Sequence, residues 1–216
     1  MNTTLDSHAT KSRWPLVLTL LFAIEWVLLA LQPIDRHDWL LENVLALVVC
    51  TWLIVRHRRA PLSTFSYVLL FLFGSLHEIG AHYTYSEVPY EQWAQMLGSF
   101  SVDATIGFER NMFDRVVHFL FGFLLFVPIQ EILDQGGEIR GRARWWVPVS
   151  IVAAASMTFE LFEWAAAEFF GGDLGQAYLG TQGDVWDAHK DMLLATVGSM
   201  ITMVWVWRYR GKRKSA

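Results

Sequence analysis

The chain has 216 residues, of which 54% are hydrophobic and 18% are charged, and it carries 11 tryptophans. This composition is too apolar for an ordinary soluble domain of this size. The formal net charge of −4 is small, so the positions of the charged residues are more informative than their sum.

Six apolar segments are long enough to cross a bilayer, whose core is spanned by about 20 apolar residues. They predict an all-α fold, a polytopic membrane protein in which residues 1–216 form one six-transmembrane-helix bundle. The first segment is long and lacks a small-x-small cleavage site, which favours an uncleaved helix over a signal peptide. The predicted spans are residues 14–31, 40–55, 65–83, 113–132, 146–169 and 187–207.

The basic residues are unevenly distributed between the two sides of this predicted topology. Six spans put both termini on one side, and 13 of the 17 Lys and Arg residues fall there. Because basic residues accumulate in cytoplasmic loops, both termini are expected in the cytoplasm. The runs RHRR (56–59) and RGRAR (140–144) adjoin spans, so they indicate topology and contacts with membrane lipids, and no nucleic-acid partner is expected.

Two connections on the outer side are long. Residues 85–111 contain the stretch YEQWAQML, which predicts a short helix at the membrane interface with Trp93, Met96 and Leu97 on one face. Residues 171–184 are rich in glycine. For each connection the sequence is compatible with two interpretations, a lid over a site and a plain solvated loop.

Four spans carry a pair of polar residues at their outer ends. Residues three or four apart lie on one helical face. With alternating chain direction, all four pairs reach the same membrane face. The pairs are Glu78 with His82, Asp114 with His118, Glu160 with Glu163, and Asp187 with Asp191, the last preceded by Asp184. So many ionised acids close together require a bound cation, shared protons or deep water.

Helical bundles commonly build cation sites from Glu and His side chains that project inward from facing helices. The pattern therefore predicts a divalent metal ion, and the mixed oxygen and imidazole donors suit zinc, manganese, magnesium or iron alike. Glu160 and Asp187 are predicted as catalytic residues, Glu160 to move a proton and Asp187 to support the site. The predicted metal ligands are Glu78, His82, Asp114, His118, Glu163 and Asp191.

Simpler roles are also open for these residues. Asp114, Asp184 and Asp187 could cap helix N-termini, and Asp114 could pair with Arg115. His82 or His118 could be an interior histidine held by hydrogen bonds.

Other polar and small residues in the spans have structural interpretations. Glu25 and Glu131 have no evident partner in the sequence and are expected to reach solvent or to be hydrogen-bonded. Gly74 and Gly122 are expected to permit close helix approach. Cys50 is the only cysteine, so it cannot form an intrachain disulfide.

The chain resembles the YjdF-like family of bacterial inner-membrane proteins. The motifs that carry this resemblance are HEIGAHYTYSEVPY (77–90), DRVVHFLFG (114–122), FELFEW (159–164) and GDVWDAHKDM (183–192). It implies a multi-pass protein of the bacterial inner membrane and no established reaction. The last three spans are more weakly similar to VanZ-like proteins, through Asp114, Arg115 and His118, an intramembrane Glu160 or Glu163, and the acids after residue 183.

Three function classes are compatible with this pattern. The first is a metal-dependent hydrolase or transferase that acts on a lipid or lipid-linked envelope substrate at the outer face. The second is a proton- or cation-coupled transporter, for which polar residues should continue towards the cytoplasmic half. The third is a binding or scaffold protein, which requires no buried acids.

Overall fold

The computed structural model describes residues 13–98, 100–137, 139–170 and 181–214. These residues form helices and contain no β-strand, which confirms the all-α prediction. The helices are α1 (Trp14–Leu29), α2 (Arg36–His57), α3 (Thr64–His82), α4 (Tyr90–Gly98), α5 (Val102–Ile106), α6 (Phe113–Gly136), α7 (Ala143–Phe170) and α8 (Asp187–Lys214).

Five of these helices, α2, α3, α6, α7 and α8, are long and apolar enough to cross a membrane, and α1 is apolar but has only 16 residues. This confirms a polytopic membrane bundle. Helix α2 begins at Arg36, before the predicted start at residue 40, because Asp35 caps it. The Asp35 carboxylate accepts hydrogen bonds from the backbone N–H groups of His37 (2.7 Å) and Asp38 (3.0 Å).

Helix α6 is central and packs against α3, α7 and α8, while α1 and α2 pack against α3. Glycines bring α6 and α8 into backbone contact. A Cβ atom at Gly122 would lie 1.8 Å from the carbonyl oxygen of Ala195, and one at Gly198 would lie 2.2 Å from that of Phe119. The close approach predicted at Gly122 is confirmed. Gly74 faces the ring of Phe22 on α1.

The segment between α3 and α6 lies at the end of the bundle where α6 and α8 begin, which is called the acidic end below. Val88 in this segment is buried in a cluster with Phe113 and Val117. Helix α4 forms where the sequence predicts a short helix, and its Met96 and Leu97 are 86% and 88% exposed. The other predicted lid, in residues 171–184, lies mostly outside the described residues.

Candidate metal centre

Three aspartates from two helices converge at the acidic end. One carboxylate oxygen from each of Asp114, Asp187 and Asp191 lies within 4.8 Å of the other two. Asp187 and Asp191 are 4% and 2% exposed. The α6–α8 backbone contact at Gly122 holds the two helices at this separation, so the residues that bring the carboxylates together are two turns away along α6.

His118 of α6 points between two carboxylates. Its Nε2 atom is 3.5 Å from Asp114 Oδ1 and 3.3 Å from Glu160 Oε1 on α7, and its Nδ1 atom is 3.4 Å from Ser156 Oγ. These separations are longer than good hydrogen bonds. Two donor atoms that are each about 2.1 Å from a tetrahedral ion are about 3.4 Å apart. Each of the two nitrogen–oxygen separations is therefore close to that of two ligands of a shared ion.

Asp187 has different partners. Its Oδ2 atom accepts a hydrogen bond from Arg110 (3.0 Å) and its Oδ1 atom accepts one from Arg115 (2.9 Å). Oδ1 also forms an ion pair with Arg110 at 2.9 Å. A carboxylate held by two arginines is a weak ligand, because its lone pairs are engaged and its charge is compensated. Asp187 therefore ties the start of α8 to Arg110, before α6, and to Arg115 in the first turn of α6.

Asp184 lies in the same ionic network, where it pairs with Lys190 (2.5 Å) and Arg115. Its carboxylate also accepts a hydrogen bond from the backbone N–H of Trp186 (3.1 Å). The hydrogen bonds from Lys190, Trp186 and Arg115 hold the pKa of Asp184 well below its ordinary value. Asp184 thus takes the capping role at the start of α8, and the pairing of Asp114 with Arg115 is not formed.

The remaining predicted ligands are separated. Glu163 lies beside Glu160, one turn further along α7. Glu78 is fully buried on α3, where its carboxylate lies beside the Asn43 side chain of α2. His82 turns towards α1, where its Nδ1 atom is 2.7 Å from the carbonyl oxygen of Leu29. This contact fits the interior-histidine alternative.

Two predicted isolated acids are hydrogen-bonded. Glu25 accepts from Ser75 Oγ (2.6 Å) on α3. Glu131 accepts from the backbone N–H of Ser63 (2.6 Å) and from the hydroxyls of Ser63 (2.8 Å) and Ser66 (2.5 Å). Glu131 therefore ties the start of α3 to α6 at the end of the bundle opposite the aspartates.

Helix α2 contributes a polar group that the sequence analysis missed. Asp38, Glu42 and Asn43 are 5%, 3% and 2% exposed. The available signal was the spacing of Asp38 and Glu42, which are four apart like the other pairs. The predicted span began at residue 40, so Asp38 was placed in a loop and the pair was not recognised.

Tyr85 is the second residue that the sequence analysis did not single out. Its ring lies over Gly80, where a Cβ atom would be 2.5 Å from the ring, and its hydroxyl is 2.5 Å from His77 Nδ1. Burial and the carboxylates of four surrounding residues raise the pKa of its phenol well above 10. Those residues are Glu42, Asp114, Glu163 and Glu78, in order of decreasing effect. The phenol is therefore neutral where it contacts His77 of α3.

The chain matches the family described as predicted membrane protein (DUF2238) over residues 14–212. It belongs to this family. It is 34% identical over 204 residues to the inner membrane protein YjdF of Escherichia coli strain K12, with 93% of each chain covered. No solved structure matches. These findings confirm the YjdF-like resemblance and a multi-pass inner-membrane protein, while neither match is VanZ-like, so that similarity stays a prediction.

In this DUF2238 chain, a cavity of about 760 Å³ lies between α1, α2, α3, α6 and α7. Its lining is mainly aliphatic and aromatic, and it extends from Arg58 at the basic end of α2 to His118. Polar side chains line the part nearest the aspartates. They are His77, Glu78, Tyr85, His118 and Ser156.

Proposed function

We propose that the protein is a metal-dependent hydrolase or transferase that acts on a lipid or lipid-linked envelope substrate at the periplasmic face of the inner membrane. One observation carries this proposal: His118 faces Asp114 and Glu160 and also lines the apolar cavity. A lipid substrate needs an apolar volume for its chain and a polar site for its headgroup, and here the two are continuous.

The proposed ligands are Asp114, His118, Glu160 and Asp191. A divalent ion held there would polarise a phosphoryl or carbonyl oxygen and lower the pKa of bound water. Glu163 lies beside Glu160 and would accept the proton. The sequence analysis assigned the proton transfer to Glu160 and metal binding to Glu163. The proposal exchanges these two roles, because Glu160 lies next to the His118 nitrogen.

The ionic network favours an anionic headgroup. Three cationic side chains, Arg110, Arg115 and Lys190, pair with Asp184 and Asp187 beside the proposed ion, which would add further positive charge. Arginine binds phosphate in a bidentate geometry. The proposed substrate therefore carries a phosphate, and its oxygen would reach the ion beside this network.

Metal content and lipid turnover test this function. Protein purified in detergent should contain a divalent ion by elemental analysis, and His118→Ala and Asp191→Asn should lose it and the turnover of inner-membrane phospholipids. His189→Ala is the matched control, because His189 is exposed on α8 and contacts Trp186. A wild-type protein that binds no divalent ion from micromolar solution, or variants that keep their metal, would refute the proposed centre.

The periplasmic location rests on placing the basic ends of the helices in the cytoplasm. In a Cys50→Ser background, a single cysteine at the exposed position Glu87 should react with a membrane-impermeant maleimide in intact spheroplasts. A cysteine at the exposed position Arg59 should react only after lysis. The opposite pattern of labelling would place the site on the cytoplasmic side.

A cation-coupled transporter is the second candidate, because the cavity reaches from Arg58 to His118 and so covers much of the bundle length. Its lining is mainly apolar, which favours a hydrocarbon chain over a hydrated ion. Uptake into proteoliposomes driven by a pH gradient, with no lipid turnover, would favour the transporter.

A further inference from the structure

The cavity also reaches the surface at the end of the bundle opposite the aspartates, which is called the basic end below. Its lining there includes Pro15 and Leu16 at the start of α1 and His57 and Arg58 at the end of α2. Leu16 is 63% exposed and Arg58 is exposed as well, so the cavity is open at this end. Helices α1 and α2 both pack against α3, which lines the cavity between them.

A histidine–tyrosine pair holds the edge of this opening together. The His57 Nδ1 atom is 2.5 Å from the hydroxyl of Tyr67, which joins the end of α2 to α3. The same hydroxyl oxygen accepts a hydrogen bond from the backbone N–H of Leu62 (3.2 Å). One turn further into the bundle, Leu53 of α2 and Phe71 of α3 line the cavity. The opening therefore has a fixed polar edge and an apolar interior.

The positive charge at this opening is not compensated by the acids of α6. Glu131 accepts hydrogen bonds from serines at the start of α3, and Asp134 pairs with Arg144. In the part of the chain that the structure describes, neither Arg58 nor Arg59 forms an ion pair. Of these two arginines, Arg58 lines the cavity and Arg59 does not. The opening thus favours an anion that is attached to a hydrocarbon chain.

We infer that the basic end of the cavity binds an anionic phospholipid from the leaflet on that side, with its phosphate on Arg58 and an acyl chain between α1 and α2. Arginine can donate two parallel hydrogen bonds to a phosphate group. Basic residues beside a membrane also attract anionic lipids.

The length of the cavity leaves room for both this lipid and the proposed substrate. From Leu45 to Arg58 the lining of α2 covers about 20 Å, at about 1.5 Å per residue. One leaflet of the hydrocarbon core is about 15 Å thick, which is half of about 30 Å. The acyl chain therefore fills the basic part of the cavity and leaves the part beside His118 to the proposed substrate.

Crosslinking of a lipid probe to the full chain tests the headgroup contact. Phosphatidylglycerol with a photoreactive diazirine in its acyl chain is added in increasing amounts to protein in phosphatidylcholine nanodiscs. Crosslinks to residues 45–58 are measured by mass spectrometry and should saturate. Arg58→Gln should raise the half-saturating lipid content about fivefold, which corresponds to the about 1 kcal/mol that one basic residue contributes near an anionic surface.

Arg59→Gln is the matched control, because Arg59 is exposed next to Arg58 but does not line the cavity. It should crosslink like the wild type. Equal weakening by both variants would mean that the basic run attracts lipid only through its diffuse charge, and it would refute the site. Unchanged crosslinking in Arg58→Gln would refute it as well.

Filling the cavity tests the position of the acyl chain. Leu53→Trp should abolish the saturable crosslinking, whereas Val55→Trp should retain it, because Val55 is 53% exposed on the same helix and does not line the cavity. Should Leu53→Trp not fold, competition with the wild type serves instead. Glycerol phosphate carries the anionic group without acyl chains and should not displace the probe, and displacement would refute the role of the cavity. Because no measurement requires a bound metal, the lipid site and the proposed centre stand or fall separately.

Discussion

Gly122→Ala tests whether the α6–α8 contact sets the geometry of the candidate centre. Gly122 lies one turn after His118 and faces the backbone of α8. The added methyl group would lie 1.8 Å from the Ala195 carbonyl oxygen, against an ordinary contact of 3.4–4 Å. The Ala195 carbonyl belongs to the backbone and cannot rotate away from the methyl group. The helices must therefore separate locally by about 1.6 Å to restore an ordinary contact.

A shift of this size affects both stability and the site. Overpacking of this kind costs typically about 1–3 kcal/mol. The same movement carries Asp191 away from Asp114 and His118, and metal sites tolerate deviations of only about 0.2 Å in ligand distance. Gly122→Ala should therefore melt at a lower temperature and lose the metal of the candidate centre.

Thermal unfolding in detergent and elemental analysis measure these two effects. Gly136→Ala is the matched control, because Gly136 ends the same helix and a methyl group there meets nothing within 4 Å. Gly198→Ala, on the opposite side of the contact, should act in the same direction as Gly122→Ala. If Gly122→Ala melts and binds metal like the Gly136 control, then helix separation does not govern the site.

Three further variants examine individual contacts. Asp184→Asn should lower the melting temperature by a constant amount between pH 8 and 5, because the pKa of Asp184 is lower in the folded than in the unfolded chain. The difference from the wild type should shrink below about pH 4. A difference that grows on acidification would contradict the ionic role. Glu131→Gln should lose about 1–3 kcal/mol of stability in chemical unfolding, since Ser63 and Ser66 lose a charged acceptor, and an unchanged midpoint would contradict this. Tyr85→Phe should lower the melting temperature, because the buried His77 ring loses the Tyr85 hydroxyl as a hydrogen-bond partner, and an unchanged melting temperature would contradict this contact.

The helical class and the polar pairs follow from local patterns. Apolar runs of sufficient length exclude other membrane folds, because backbone groups in lipid must bond within their own segment. Asp114 and His118 are four residues apart on α6, so helix geometry alone places them on one face, and the structure gives them a 3.5 Å separation. A pattern within one helix is sufficient for that prediction.

Contacts between helices are harder to infer from the same patterns. Glu78 and His82 share a face of α3, yet His82 contacts Leu29 of α1 while Glu78 is enclosed among polar groups of α2. Periodicity gives the direction of a side chain and not the neighbour that it meets. Arg110 and Asp187 are 77 residues apart in the chain, so their pairing depends on how the segment before α6 folds against α8.

The ionic network also connects substrate binding to the order of the site. Arg110 bonds to the carbonyl oxygen of Thr181 (2.8 Å) as well as to Asp187, so it ties the segment before α8 to the segment before α6. A phosphate bound by Arg110 or Arg115 would compete with Asp187 for the same N–H donors. Asp187 would then gain free lone pairs within 4.8 Å of the Asp114 and Asp191 oxygens. Binding of an anionic headgroup would in this way add a ligand to the centre at the moment the substrate arrives.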